Sequence, residues 1–105
     1  MRVEVVEDRI EVFAVGGFAA AGARDAQEQL RGLLAAGHRH FVIDLEAVEF
    51  IDSTGLGVLV GLLKKVRIGE GSVRLRGVRP DLQDILRLTR LDRVFELMPN
   101  RGKTT

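Results

Sequence analysis

The sequence predicts an α/β fold, in which helices pack on a mixed β-sheet of four to five strands. The chain has 105 residues, a length that fits one domain. Segments with apolar residues at every second position, typical of strands, alternate with segments whose apolar residues recur at helical spacing. Because a helix that connects two parallel strands crosses over right-handedly and packs on the sheet, this order favours a mixed sheet with helices packed on it.

Two short strands joined by a tight turn are predicted at the N-terminus. Val3 and Val5 alternate with polar residues, and residues 10–15 alternate again after a charged turn at residues 7–9. The pair Gly16-Gly17 is predicted to end the second strand.

A first helix is predicted after these glycines, and a buried strand after the helix. Ala26, Leu30, Leu33 and Leu34 share one helical face, while Gly37 is typical of the position that follows a helix. Residues 40–45 form a near-continuous apolar run, which predicts a central strand covered on both faces. Residues 46–51 are predicted to form a loop.

A second amphipathic helix is predicted to begin at residues 52–54 and to end at residues 69–71. Five apolar residues gather on its buried side: Leu56, Leu59, Val60, Leu63 and Val66. Val58, Gly61, Leu62 and Lys65 lie on the other side, so Val58 and Leu62 are expected to be exposed.

The last third of the chain predicts a half-buried strand at residues 72–76 and a helix with Pro80 in its first turn. The apolar face of that helix is expected from Leu82, Ile85 and Leu86. Residues 91–98 fit either a short helix or an edge strand. We expect a single domain over residues 1–98 and a polar tail over residues 99–105.

Composition excludes several classes of protein. Hydrophobic residues make up 46% and charged residues 30%, which is typical of a folded soluble domain, and the chain has no cysteine. No apolar run approaches the roughly 18 residues that a membrane span needs. Residues 72–105 carry eight basic and four acidic residues, but no nucleic-acid motif accompanies them. We therefore expect a cytoplasmic protein that binds neither membrane nor nucleic acid directly.

No pattern for catalysis or for a cofactor is complete. A nucleophile elbow requires glycine two positions before the serine, and Ile51 stands two before Ser53. Residues 102–104 imitate the end of a phosphate-binding loop, but its first glycine is missing. His38, His40 and Asp44 are too widely spaced along a strand to share a metal ion. The sequence predicts no enzyme, no cofactor and no metal.

The start of the second helix is a poor design for stability alone. Asp52, Ser53 and Thr54 all compete to be the N-cap, whose side-chain oxygen accepts a backbone N–H. Gly55 and Gly57 each cost about 1 kcal/mol relative to alanine in a helix. Glycines there favour close approach by a partner, and a helix N-terminus favours an anion such as a phosphate on Ser53.

Residues 50–61, with the sequence FIDSTGLGVLVG, resemble the phosphorylation segment of bacterial anti-sigma factor antagonists, the single-domain members of the STAS superfamily. The order of elements from Arg2 to about Leu97 is also similar. The resemblance implies a STAS-like mixed sheet and partner switching. The unphosphorylated antagonist binds an anti-sigma factor that is a serine kinase, and a sigma factor is released. The kinase then phosphorylates Ser53, and a PP2C-like phosphatase restores the binding form.

The resemblance also implies a partner-binding surface around Ser53. Asp52 matches the aspartate that assists binding, and the other predicted contacts are Thr54, Gly55, Gly57, Val58, Gly61 and Leu62. Residues 17–20, with the sequence GFAA, depart from the family because they lack its acidic residues. An alternative therefore stays open: a STAS scaffold or small-ligand module that is never phosphorylated, with Ser53 as a simple N-cap.

Overall fold

One mixed sheet of five strands organises the part of the chain that a computed structural model describes, residues 2–18 and 20–98. The strands are β1 (Arg2–Val6), β2 (Arg9–Phe18), β3 (His40–Ile51), β4 (Ser72–Arg76) and β5 (Glu96–Leu97), side by side in that order. β1 and β2 are antiparallel, whereas β2, β3, β4 and β5 are parallel. The predicted mixed sheet is confirmed, with β3 at its centre.

Helices cover one face of this sheet. They are α1 (Ala20–Ala35), α2 (Ser53–Ile68) and α3 (Pro80–Leu88), with a 3₁₀ turn at Leu91–Arg93. Their buried side chains form one apolar cluster with alternate residues of the inner strands, including Ile10, Val12, Phe41, Ile43, Val73 and Leu75. The described residues therefore form two layers, one of helices and one of sheet, around this core.

β2 and β3 are longer than the sequence analysis predicts. β2 continues through Gly16-Gly17, and residues 46–51 belong to β3 instead of a loop. The two extensions pair with each other in parallel, with register shifts between Phe13 and Val15 and between Gly16 and Gly17. Glycine tolerates such irregular pairing, so the glycines expected to end the strand lie within it instead.

The ends of the helices follow the local sequence signals. Gly37, after α1, has φ of 102°, a conformation that glycine adopts without strain. Pro80 occupies the first turn of α3, as predicted, but only Leu82 and Leu86 of its expected apolar face are buried. Both alternatives for residues 91–98 occur, because the 3₁₀ turn is followed by the two-residue strand β5.

An ion network is buried on the sheet face opposite the helices. Arg76 on β4 donates from Nε to Asp44 Oδ2 on β3 at 3.0 Å, and from Nη2 to Glu11 Oε1 on β2 at 3.1 Å. Arg9 Nη2 donates to the other oxygen of Glu11 at 3.0 Å. Glu11, Asp44 and Arg76 are exposed by only 7%, 6% and 9%. One guanidinium thus ties the three inner strands together.

The network shifts the pKa of both Glu11 and Arg76. Desolvation raises the pKa of Glu11, but hydrogen bonds and charge attraction from Arg76 and Arg9 outweigh it and hold that pKa below its usual value. Desolvation lowers the pKa of Arg76, and its two carboxylate partners more than reverse this effect. Glu11 and Arg76 therefore both stay charged at neutral pH.

Several expectations fall outside the described residues. The predicted polar tail, residues 99–105, lies there, so the domain boundary at residue 98 stays a prediction. Ala19, in the segment that departs from the family pattern, also lies outside the described residues. The side chains of residues 15–21 are not described either. Within residues 2–18 and 20–98, no helix has the length and apolarity required to span a membrane.

Candidate functional site

Ser53 lies at the edge of the sheet where the parallel strands end. It is the first residue of α2, and it follows the end of β3 by two residues. Ile51, the last residue of β3, pairs with Phe18, the last residue of β2. Since β4 is parallel to both, the loop before α3 leaves the sheet at this same edge. In open α/β sheets this is the edge where binding sites form.

Asp52, and not Ser53 or Thr54, is the N-cap of α2. Its backbone is extended, with φ of −111° and ψ of −173°, and its Oδ1 accepts a hydrogen bond from the Gly55 N–H at 2.9 Å. Its carbonyl accepts the first helical bond, from the Leu56 N–H at 2.9 Å. Of the three N-cap candidates that the sequence left open, Asp52 is therefore the one that caps the helix.

The hydroxyl of Ser53 remains available for chemistry because Asp52 performs the capping. Ser53 is exposed, and among the described residues no hydrogen bond engages its hydroxyl. The first turn of α2 contains no acidic residue, and the last turn contains the basic residues Lys65 and Arg67. An anion on Ser53 would meet the positive end of the helix dipole, opposed locally by the Asp52 carboxylate.

The structure exposes some of the predicted partner contacts and buries others. Asp52 and Gly57 are exposed, and Thr54 and Gly61 are half-buried. Gly55 is buried, and its N–H is bound to Asp52.

The expected exposure of Val58 and Leu62 is wrong. Val58 is 7% exposed and Leu62 is 4% exposed. Both line a narrow crevice between α2 and α1, together with Leu30 and Leu34 of α1. The reason is that α2 buries two adjacent sides, one against the sheet and one against α1, whereas a single stripe was expected.

Phe50 is an exposed apolar residue that the sequence analysis did not assign to the site. Its side chain is 59% exposed, three positions before Ser53. Gly16 pairs with Val48 and Gly17 pairs with Phe50, so Glu49 is an extra residue in β3. This extra residue turns Phe50 away from the face on which Val48 is buried. The pair Gly16-Gly17 on β2 is the sequence feature that accompanies this irregularity.

Arg79 is a cation at the same edge of the sheet. Its Nη1 donates to the carbonyl of Val48 at 3.3 Å, which fastens the loop before α3 to β3. A small groove of about 20 Å³ lies beside it, lined in part by Phe50, Ile51 and Leu82. In that loop Gly77 has φ of 71°, and a Cβ there would lie 2.8 Å from the Cβ of Glu46. Glycine is therefore required for this close approach.

The histidines lie far from Ser53, at the opposite end of β3. His40 Nδ1 lies 3.0 Å from Ser72 Oγ at the start of β4. Asp44 is held by Arg76 and by the backbone N–H of Glu46. In residues 2–18 and 20–98, no three acidic or histidine side chains are grouped closely enough to hold a metal ion.

The five-stranded mixed sheet, with a helix that starts directly after its central strand, is the fold of the anti-sigma factor antagonists. A Thermotoga maritima protein solved as a candidate anti-sigma factor antagonist matches it with a TM-score of 0.90 and 24% identity, over 96% of this chain and 86% of that one. The Bacillus cell fate determinant SpoIIAA, solved in its phosphorylated form, matches with a TM-score of 0.81 and 16% identity, over 96% and 91% of the two chains.

The chain belongs to the STAS domain family, whose model matches residues 1–104. The anti-sigma-B factor antagonist of Listeria monocytogenes is 31% identical over 96 residues, which cover 91% of this chain and 84% of that protein. The family that the sequence resembles is therefore confirmed.

Proposed function

We propose that the chain is an anti-sigma factor antagonist that works by partner switching controlled at Ser53. Without phosphate it binds an anti-sigma factor that is a serine kinase, and the sigma factor held by that kinase is released. The kinase transfers the terminal phosphoryl group of ATP to Ser53 Oγ, which loses its proton, and ADP leaves. A PP2C-like phosphatase hydrolyses the ester and returns the serine and inorganic phosphate.

The observation that carries this proposal is the division of roles at the start of α2. Asp52 caps the helix, so the exposed Ser53 hydroxyl is left for another protein to modify. A phosphate adds a charge of about −1.5 to −2, which the N-terminus of α2 tolerates. Modification is thus expected to change binding more than folding.

The size of the switch follows from burying that charge in an interface. A dianion without a matching cation costs several kcal/mol there. About 3 kcal/mol already lowers affinity by more than a hundredfold. The charge alone is therefore sufficient to release the partner, and a conformational change is not required.

The names of two relatives support this proposed function. The Listeria relative is named for antagonism of the anti-sigma-B factor, and SpoIIAA has been solved with its phosphate attached. A regulator of sigma factors acts where bacterial transcription takes place, so we assign this chain to the cytoplasm.

The test is incubation of the purified chain with ATP and each anti-sigma factor kinase encoded in its genome, followed by intact-mass measurement. We expect one phosphoryl group on the chain and none on Ser53→Ala. Titration calorimetry should show that Ser53→Ala binds the kinase and that Ser53→Asp does not. Equal binding by the two variants, or absence of phosphate under every condition, would contradict the proposal.

One observation favours the second candidate, a small-ligand module. A cleft of about 190 Å³ opens at the opposite edge of the sheet, lined by residues that include Arg9, His40, Ser72 and Arg74. A small molecule that raises the melting temperature of the chain, but not that of His40→Ala, would support this candidate.

A further inference from the structure

The exposed side of α2 carries a continuous surface that begins at Ser53. Ser53, Gly57, Gly61, Lys64 and Ile68 follow one another at intervals of three or four residues, so they line one side of the helix. Four of them are exposed, and Gly61 is half-buried at the margin of the crevice with α1. This row, called here the α2 stripe, is about 22 Å long at the helical rise of about 1.5 Å per residue. Its spacing is that of helices that pack lengthwise against another helix.

The two glycines make the middle of the stripe low. Within the described structure, a Cβ added at Gly57 or Gly61 meets nothing within 4 Å. Packing inside the chain therefore does not require glycine at either position, although each glycine weakens the helix relative to alanine. A shallow surface of this kind lets a partner backbone approach closely.

The far end of the stripe is cationic and apolar. α2 holds Lys64, Lys65 and Arg67 and no acidic residue, and none of the three forms a salt bridge within the described part of the chain. Ile68 is 87% exposed. Arg39 adds a fourth positive charge, because it packs beside Gly69 and its Nη1 is bound to the carbonyls of Leu34 and His38.

We propose that an acidic, amphipathic α-helix of the anti-sigma factor partner docks lengthwise on the α2 stripe. Its backbone approaches Gly57 and Gly61, its carboxylates face Lys64 and Arg67, and an apolar side chain covers Ile68. This inference rests on the proposed function, since the partner is the one that Ser53 controls. It also strengthens the switch, because a phosphate on Ser53 lies at one end of the path of an acidic helix and repels it.

A helix fits this surface better than a lipid surface does. Gly57 and Gly61 carry no side chains, so the middle of the α2 stripe lies lower than Ser53 and Lys64 on either side. A flat membrane would contact the cations and Ile68 but not these glycines. Charge complementarity with the unpaired cations selects an acidic partner.

The test measures affinity by titration calorimetry, with anti-sigma factor kinases from the same genome and the anti-sigma-B factor of Listeria monocytogenes as probes. Lys64→Glu is expected to weaken binding at least tenfold. The matched control is Arg24→Glu on α1, an exposed arginine without an ion pair in the described residues, whose reversal changes the net charge equally and should leave affinity unchanged.

Gly61→Ala separates the interface from the fold. We expect its melting temperature to rise by roughly 2 to 6 °C, because alanine favours the helix, while its affinity falls at least fivefold. A variant that is more stable yet binds less tightly cannot owe its defect to misfolding.

The outcomes distinguish this inference from the proposed function. If Ser53→Asp abolishes binding while Lys64→Glu and Gly61→Ala leave it unchanged, the docking proposal is overturned and the proposed function stands. If no probe binds the unmodified chain, both proposals fail. Suppose that the chain sediments with phosphatidylserine vesicles, and that Lys64→Glu abolishes this but leaves partner affinity unchanged. The α2 stripe would then bind a membrane and not a partner helix.

Discussion

Asp52 and Ser53 are adjacent polar residues whose contacts differ completely. The carboxylate of Asp52 accepts the Gly55 N–H at 2.9 Å, while the Ser53 hydroxyl is exposed at the first helical position. A serine that capped its own helix would have its side-chain oxygen engaged by a backbone N–H. Because the cap is one residue earlier, the residue proposed for modification and the residue that stabilises the helix are separate.

This separation predicts that two alanine substitutions lower the free energy of unfolding, measured by urea titration, by different amounts. Asp52→Ala should lower it by about 0.5–2 kcal/mol, since the cap is lost. Ser53→Ala should change it by less than about 0.5 kcal/mol, as exposed substitutions usually do. Asp52→Asn, which keeps a capping oxygen, serves as the control. A large cost at Ser53 would instead support the alternative in which Ser53 is an N-cap.

At the scale of the element, α2 is held on two sides. One side packs on the sheet and the other on α1, and the crevice between the helices includes Val58 and Leu62. The side chains of α2 that stay exposed include Ser53, Lys64 and Ile68 of the α2 stripe. The packing of α1 thus decides which part of α2 is left for a partner.

Leu62→Ala should therefore lower the free energy of unfolding by about 2–5 kcal/mol, as truncation of a buried leucine does. Chemical denaturation monitored by circular dichroism measures it. An exposed leucine would cost less than about 0.5 kcal/mol. A small effect would mean that α1 does not cover this side of α2 in solution.

The ion network of the sheet gives a second prediction at this scale. Arg76→Met leaves Glu11 and Asp44 buried without their shared partner and should cost about 3–5 kcal/mol. Arg74→Met, which removes the exposed pair with Glu96 at 3.0 Å, is the matched control and should cost about 1 kcal/mol or less. Equal costs would argue that the network does not hold the inner strands.

The network also sets a direction for the pH dependence of stability. The pKa of Glu11 is lower in the folded chain than its ordinary value of 4.5. Its contribution is therefore present above that value and is lost as the pH falls through the lowered pKa. Urea titrations between about pH 5 and pH 3 should show a loss of stability that is smaller in Glu11→Gln.

At the scale of the whole molecule, the site and the ion network are independent. Ser53 lies at the edge where the strands end, while Arg76 joins the inner strands on the face opposite the helices. A charge placed on Ser53 does not contact the network or the apolar core. The proposed switch therefore predicts a change of affinity without a change of fold.

Ser53→Asp should accordingly keep the circular dichroism spectrum of the parent chain and unfold within about 0.5 kcal/mol of it, while losing affinity for its partner by more than a hundredfold. Denaturation and titration calorimetry on the same preparation measure both. If Ser53→Asp loses stability as well as affinity, the charge acts on the folding of the domain. That result would contradict a switch that acts only at the binding surface.

The sequence by itself determined the elements and the candidate site. Periodicity is a local property, so the first half of β3, the strand β4, the helices, and the special positions Gly37 and Pro80 could be predicted from neighbouring residues. The segment around Ser53 carried the family resemblance, because its small polar and glycine residues are contiguous in the chain.

Only the tertiary structure decided which surfaces remain free. The burial of Val58 and Leu62 depends on α1, which lies some thirty residues away in sequence, and the exposure of Phe50 depends on the extra residue Glu49 in the pairing of β3 with β2. Arg76 meets Glu11 across 65 positions of sequence. Each of these follows from contacts between distant segments, and periodicity within one segment contains no information about what packs against it.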